Sequence, residues 1–162
     1  MSKATAVESP AYAAIVNSPG FSIGIHCDAD EITAIEYIEP CGAIAPRSPL
    51  AKEAVRQIKA YLKDPHFEFG LPLAAAGTHF QRRVWAQIAA IPPGKTLSYG
   101  EVATAIRSGP RAVGNACGAN PYPLVVPCHR VIAANQGIGG FGRAGGGFLL
   151  EIKRWLLRHE GL

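Results

Sequence analysis

The chain has 162 residues, 48% of them apolar and 17% charged, with 16 Lys and Arg against 12 Asp and Glu. That length can bury a sizeable core in one domain or two small ones, and no apolar run reaches the ~18 residues that a membrane helix needs. The first ten residues lack the charged-then-apolar pattern of a secretory signal, and Cys27, Cys41, Cys117 and Cys128 show no C-x-x-C spacing. They read as free thiols in a reducing compartment, so a soluble, cytoplasmic protein without a membrane segment is the expectation.

In chain order, Tyr12 to Val16 and Phe21 to Cys27 read as strands around a Ser18-Pro19-Gly20 turn, with Phe21, Ile23, Ile25 and Cys27 alternating onto one face. Asp28-Ala29-Asp30 turns the chain into a third strand, Glu31 to Ile38. Ser48-Pro49 starts a helix with Leu50, Ala54, Val55, Ile58, Tyr61 and Leu62 on one side, ending at Asp64-Pro65. Small residues at Ala74-Ala75-Ala76-Gly77 mark a boundary, which gives domains of residues 1–76 and 77–162.

The second half is helical. Thr78 and Gln81 form a capping-box pattern ahead of a stripe of Phe80, Val84, Trp85, Ile88 and Ile91 that Pro92-Pro93 stops. Ser98 and Glu101 form another box, placing Tyr99 at the first position of a helix that ends near Arg107. Gly109-Pro110 opens a further helix, with Arg111 in its first turn and then Ala112, Gly114, Ala116 and Gly118. Two short helices around a tight turn make a helix-turn-helix, and the second has almost no bulk. Its small residues serve either close packing on a neighbouring helix or close approach to a ligand backbone. A last helix starts about Phe148 and carries Trp155 and Glu160 toward its end.

Charge divides along the same line. Residues 1–76 hold six Lys/Arg and nine Asp/Glu, a net of −3, while residues 77–162 hold ten and three, a net of +7. A field of that sign favours a polyanion, although any small basic domain has a solvated cationic face. Chemistry is concentrated in Leu124 to Ile132, an apolar run read as a strand that carries Pro127-Cys128-His129-Arg130 out of the core. Cys128 beside His129 suits a reactive thiol only if Pro127 turns the chain, because successive residues of a strand face opposite ways. His26, Cys27 and Cys41 could offer three metal ligands, but their spacing is not that of a compact tetrahedral site, so no metal and no cofactor is expected.

In order and spacing, Thr78 to Trp85, Ile91 to Lys95, Ser98 to Glu101, Arg111 to Ala116, Asn120-Pro121, Pro127 to Arg130, Lys153 to Leu157 and His159 to Gly161 resemble the alkylguanine-DNA alkyltransferases, or methylated-DNA-protein-cysteine methyltransferases. The match covers residues 77 to 162 and is weak before residue 70. The resemblance implies an α/β (α+β) fold: a small ribonuclease-H-like sheet domain, then a mainly helical, winged-helix-like domain whose helix-turn-helix enters the minor groove of double-stranded DNA. It implies a monomer with no obligatory protein partner.

By the same resemblance, Cys128 takes the alkyl group from O6-alkylguanine, and from O4-alkylthymine, in a reaction the protein performs once. His129 acts as base through a water, Glu160 orients it, Tyr99 protonates the leaving base, and Asn120 ties the DNA-binding helix to the active-site segment. Arg111 fills the gap left by the flipped nucleotide, while Gly100, Ser108 and Ala112 meet the DNA backbone. Backbone carbonyls of Cys128 and Val131 receive the guanine amine. Phe141 and Gly142 wall the alkyl pocket in a loop, Gly139 to Phe148, that is longer than the family's usual Gly-Tyr-Ser/Ala-Gly-Gly and contains Arg143. The segment before Arg111 is shorter than in some relatives, which bears on Ser108. Three rivals share some of these features: a non-catalytic alkylated-DNA-binding protein, a helix-turn-helix regulator and a cysteine hydrolase.

Overall fold

The computed structural model describes residues 11–133 and 147–162. The polypeptide combines α and β structure, with five α-helices and two small sheets among the described residues. β1 (Ala14–Ser18), β2 (Phe21–Cys27) and β3 (Ile32–Ile38) form an antiparallel meander in the order β1-β2-β3. β1 begins two residues later than the sequence suggests. Tyr12 lies outside the ladder and covers β2 instead: a Cβ on Gly24 would sit 2.4 Å from the Tyr12 ring. β2 is therefore buried on both faces over Phe21 to Ile25, and its alternation marks one covered side of two.

Helix α1 (Pro49–Lys63) packs on β1 and β2. Ser48 Oγ accepts the Ala51 amide, Pro49 occupies the first turn, and Ala54, Val55, Ile58 and Tyr61 are buried as the stripe required. Helix α2 (His79–Ala89) and helix α3 (Tyr99–Ala105) each open with both halves of a capping box, Thr78 with Gln81 and Ser98 with Glu101. Such a cap is worth about 1 kcal/mol. It fixes where α3 starts and hence where Tyr99 points. α3 stops two residues short of Arg107, which takes a left-handed φ of +58° while the Ser108 amide closes back on Ala103 O at 2.8 Å.

Helix α4 (Pro110–Gly118) follows, and α5 (Phe148–His159) ends the chain with Glu160 as its C-cap. The Leu124–Val126 run is not a strand. Leu124 has a φ of +82°, Val126 N bonds back to Tyr122 O, and Pro127 has no amide to give a ladder. Leu124 and Val126 are buried as loop residues, and Cys128–Arg130 form one turn of 3₁₀ helix. Only Val131–Ile132 (β5) is extended, pairing in parallel with Leu97–Ser98 (β4). That short ladder sets the start of α3 beside the residues that follow Cys128.

Buried residues from Ala14 to Leu156 form one contiguous apolar cluster. It crosses the Ala74–Gly77 segment, where Gly77 at φ +81° leaves room for the Trp85 ring that a Cβ would meet at 2.5 Å. Phe21 stacks edge-on to Trp155 of α5 at 5.6 Å, and Ile35 N of β3 donates to Pro121 O at 2.9 Å.

Candidate active site

Cys128 is 3% exposed and opens on a cavity of about 250 Å³ lined also by Tyr37, Cys117, Asn120, Pro123 and Leu149. Asn120 organises the approach to it. Its Nδ2 donates to Val126 O at 2.9 Å and to Cys128 Sγ at 3.3 Å, while its Oδ1 accepts the Tyr122 amide at 2.9 Å. One side chain thus holds the end of α4, the buried loop and the thiol together. The neighbouring Cys117 and burial push the Cys128 thiol well above its ordinary range, and the Asn120 donor and Lys153 act against that push by favouring the thiolate.

His129 is completely buried. Its Nε2 lies 2.8 Å from Glu160 Oε2. The same carboxylate accepts Arg130 Nε at 2.9 Å and Nη2 at 2.8 Å, the Tyr61 hydroxyl at 2.5 Å and the Gly94 amide at 3.4 Å. Burial works against the charge, but the hydrogen bonds from His129, Arg130 and Tyr61 hold Glu160 well below its ordinary 4.5. An ionised carboxylate only accepts, so Nε2 must carry the imidazole proton and Nδ1 keeps the lone pair. Desolvation lowers the His129 pKa despite the pull of Glu160, so the ring is neutral near pH 7. Nδ1 has no hydrogen-bond partner among the described residues. The cluster therefore holds a neutral imidazole with one nitrogen fixed and the other available as a base.

Gly94 reaches Glu160 because Pro92-Pro93-Gly94-Lys95 turns tightly, with Gly94 at φ +83° and Lys95 N on Pro92 O at 3.2 Å. Arg130 also donates to Ile91 O at 2.7 Å, tying the end of α2 into the network.

Two contributors are given no role by the sequence pattern, although Lys153 falls in one of the segments that carry the resemblance. Tyr61 comes from α1, 99 residues before Glu160, on a stripe that reads simply as core. Lys153 is fully buried on α5, where its Nζ donates to Val131 O at 2.8 Å and lies 5.7 Å from the centre of the Tyr99 ring. Burial lowers its pKa to about 8, and the thiols of Cys117 and Cys128 draw it the other way. A lysine at the 150/153/157 positions of an apolar stripe was the signal available for it.

Cys128, His129, Glu160 and Asn120 are thus brought together, and Tyr99 is close enough for both thiols, after burial, to push its phenol upward. The Cys128 carbonyl accepts the Val131 amide and the Val131 carbonyl accepts Lys153, so each has one lone pair already engaged. Arg111, Gly100, Ser108 and Ala112 lie apart on the helix pair: Arg111 is exposed in the first turn of α4, and the other three are half-buried. Val113 and Ala116 pack inward. Among the described residues a Cβ on Gly114 would meet nothing within 4 Å, so packing among them does not require that glycine. Phe141, Gly142 and Arg143 lie outside the described residues. His26 Nε2 bonds Glu36 Oε2 at 3.0 Å, and no metal-binding group of His, Cys, Asp or Glu occurs among the described residues. No helix among them is long and apolar enough to cross a membrane.

A buried thiol beside an imidazole–carboxylate pair, next to a helix pair that exposes an arginine, fits a cysteine-dependent transferase. A sequence model described as 6-O-methylguanine DNA methyltransferase, DNA binding domain, matches residues 79–162. A methylated-DNA–protein-cysteine methyltransferase of Methanosarcina acetivorans is 43% identical over 112 residues, 68% of this chain and 69% of that protein. The one from Salmonella typhimurium is 52% identical over 93 residues, and the aligned part spans about half of each protein, 56% and 52%. Among solved structures, Mycobacterium tuberculosis OGT in complex with DNA superposes with a TM-score of 0.76 at 37% identity, covering 90% of each chain. The chain belongs to the methylated-DNA–protein-cysteine methyltransferase family.

Proposed function

We propose that the protein repairs O6-alkylguanine, and O4-alkylthymine, in double-stranded DNA by moving the alkyl group onto Cys128. The observation that carries this reading is the thiol itself: Cys128 Sγ lies on a cavity wall, 3.3 Å from the Asn120 amide, beside a His129–Glu160 pair at 2.8 Å. The sulfur attacks the alkyl carbon, the C–O bond breaks as S–C forms, and guanine leaves. The thiol proton passes through a water to His129 Nδ1, whose rising charge Glu160 stabilises. Tyr99 returns a proton to the departing base; burial keeps its phenol protonated until then, and the upward push of the thiols eases once the Cys128 sulfur is alkylated. Lys153 favours the thiolate from beneath. A thioether does not hydrolyse, so each molecule reacts once.

Reaching the lesion requires the base to leave the stack. The exposed Arg111 fills the gap, and the slim outer face of α4, with Ala112 and the uncrowded Gly114, enters the minor groove. Gly100 and Ser108 meet the phosphates. The free lone pairs of the Cys128 and Val131 carbonyls receive the guanine amine. In this reading residues 1–76 are a ribonuclease-H-like support, residues 77–162 a winged-helix-like domain that binds DNA and reacts, and the protein works as a monomer without an obligatory protein partner.

Duplex DNA containing O6-methylguanine, followed by intact-protein mass, tests the reading. One methyl should be gained on the peptide bearing Cys128, none in Cys128→Ser, and no more with excess DNA. Lesion binding without mass gain would make the protein a non-catalytic reader or a regulator. Repeated turnover would make it a hydrolase.

A further inference from the structure

Cys117 is a nucleophile that alkyl transfer leaves unused. It sits in the last turn of α4, partly buried, and lines the same cavity of about 250 Å³ as Cys128. The two thiols are near enough for each to be the leading influence on the other's titration. Cys27 lies at the end of β2 and Cys41 is exposed beyond β3, so among the four thiols these two form the pair that shares a cavity. Two thiols facing one small cavity have a short path to the ~2.05 Å bond. The pair also has the electrostatics of a dithiol. Hydrogen bonding to Cys128 lowers Cys117 against its burial, Cys117 and desolvation raise Cys128, and Lys153 favours the thiolate of either. Of the two sulfurs, the more exposed one, Cys117, is therefore the one whose thiolate is favoured. That is the arrangement in which a peroxide finds an accessible thiolate with a resolving thiol beside it.

We propose that Cys117 and Cys128 are an oxidisable dithiol, closed by a hydroperoxide into a disulfide that occupies the alkyl-accepting sulfur and reopened by thiol reductants. The Cys117 thiolate attacks the O–O bond, takes one oxygen and becomes a sulfenic acid as hydroxide or alkoxide leaves. The Cys128 thiol then attacks that sulfur, the S–S bond forms, and the hydroxyl departs with the Cys128 proton as water. With hydrogen peroxide, two thiols and one oxidant give one disulfide and two waters. The oxidised protein cannot accept an alkyl group, yet its sulfur is spared irreversible oxidation. The consequence for repair rests on Cys128 being the acceptor; the bond itself does not.

The test uses the full chain, hydrogen peroxide, maleimide blocking under denaturing conditions, and trypsin. Cleavage after Arg111 and Arg130 releases both cysteines in residues 112–130, whereas Cys27 and Cys41 share a different peptide. The expected product is the 112–130 peptide lighter by two hydrogens and free of maleimide, formed as benzyl acceptance from free O6-benzylguanine is lost; dithiothreitol should restore both. In Cys117→Ser, dithiothreitol should recover a share of that variant's own starting capacity at least about fivefold smaller, because Cys128 then oxidises onward to sulfinic acid. Retention of two maleimide-reactive thiols in residues 112–130, a disulfide only between Cys27 and Cys41, or equal recovery in wild type and variant would overturn the proposal. Disulfide formation in a protein that never accepts benzyl would sink the repair reading and leave the dithiol standing.

Discussion

Around Glu160 the polar groups are buried and, His129 Nδ1 apart, hydrogen-bonded, whereas the outer face of α4 carries exposed residues. Five hydrogen bonds converge on the Glu160 carboxylate from His129, Arg130, Tyr61 and Gly94, drawing in α1, the loop after α2 and the Cys128 turn. On α4, Arg111 and Asn115 face solvent, and the Gly114 position is open. The difference shows how one small chain divides its work. Proton chemistry needs a neutral imidazole in one tautomer, which a buried network that engages Nε2 and leaves Nδ1 open supplies at a cost in desolvation. A surface that must meet a ligand has to leave its donors and its space unspent within the fold.

Breaking the buried side should have the largest effect. Glu160→Gln leaves the Arg130 guanidinium without its counter-charge, and removing one partner of a buried pair costs roughly 3–5 kcal/mol. Urea unfolding at neutral pH should show that loss. Benzyl transfer should also fall on the order of a hundredfold, since the imidazole is no longer oriented or its charge balanced. A loss of stability under about 1 kcal/mol would mean the network is far softer than its geometry implies.

Arg111→Ala probes the other side. If Arg111 fills the stack as proposed, repair of O6-methylguanine in duplex DNA should drop by about tenfold to a hundredfold, or ~1–3 kcal/mol. Reaction with free O6-benzylguanine needs no flipping, so its loss should be at least about tenfold smaller. Equal losses on both substrates would show that the two regions are not separable.

Much of this division is legible in the sequence, and what is hidden has a physical reason. The capping boxes at Thr78 and Ser98 and the turn at Pro92–Lys95 are local, because their partners lie within three residues. The motif residues Cys128, His129 and Glu160 are recognisable as types, and the family pattern supplies their grouping. Tyr61 is different: on the α1 stripe its ring alone accounts for its burial, and only tertiary contact shows the hydroxyl on Glu160. Leu124–Val126 misleads for the opposite reason. A short apolar run reads alike as strand or buried loop, and the left-handed Leu124 that decides it leaves no mark in composition.

Tyr61→Phe therefore sharpens the comparison from within the buried side. It removes one donor of several, so stability should fall by only about 1 kcal/mol. The informative readout is pH. Stripped of that donor, the carboxylate pulls harder on Nε2 and raises the imidazole pKa. Benzyl transfer falls as pH drops through the imidazole value, which in the wild type lies below the ordinary 6.5. In the variant this acid limb should move upward. The same depression sets the stability profile: the unfolded imidazole takes its proton first, so stability declines as pH falls below 6.5, before Glu160, held below 4.5, begins to lose its contribution. An unmoved acid limb would reduce Tyr61 to packing.

Gly114→Ala is the smallest change and the most selective. The new Cβ meets nothing within 4 Å among the described residues, and alanine is the better helix former, so the folded protein should gain about 0.5–1 kcal/mol. If the outer face of α4 approaches a DNA backbone, the same methyl group should weaken duplex binding at constant salt while the melting temperature rises. The two signs must oppose each other, which no general loss of folding can produce. A variant that is both more stable and equally tight on DNA would remove α4's bare face from the interface and return its small residues to chance.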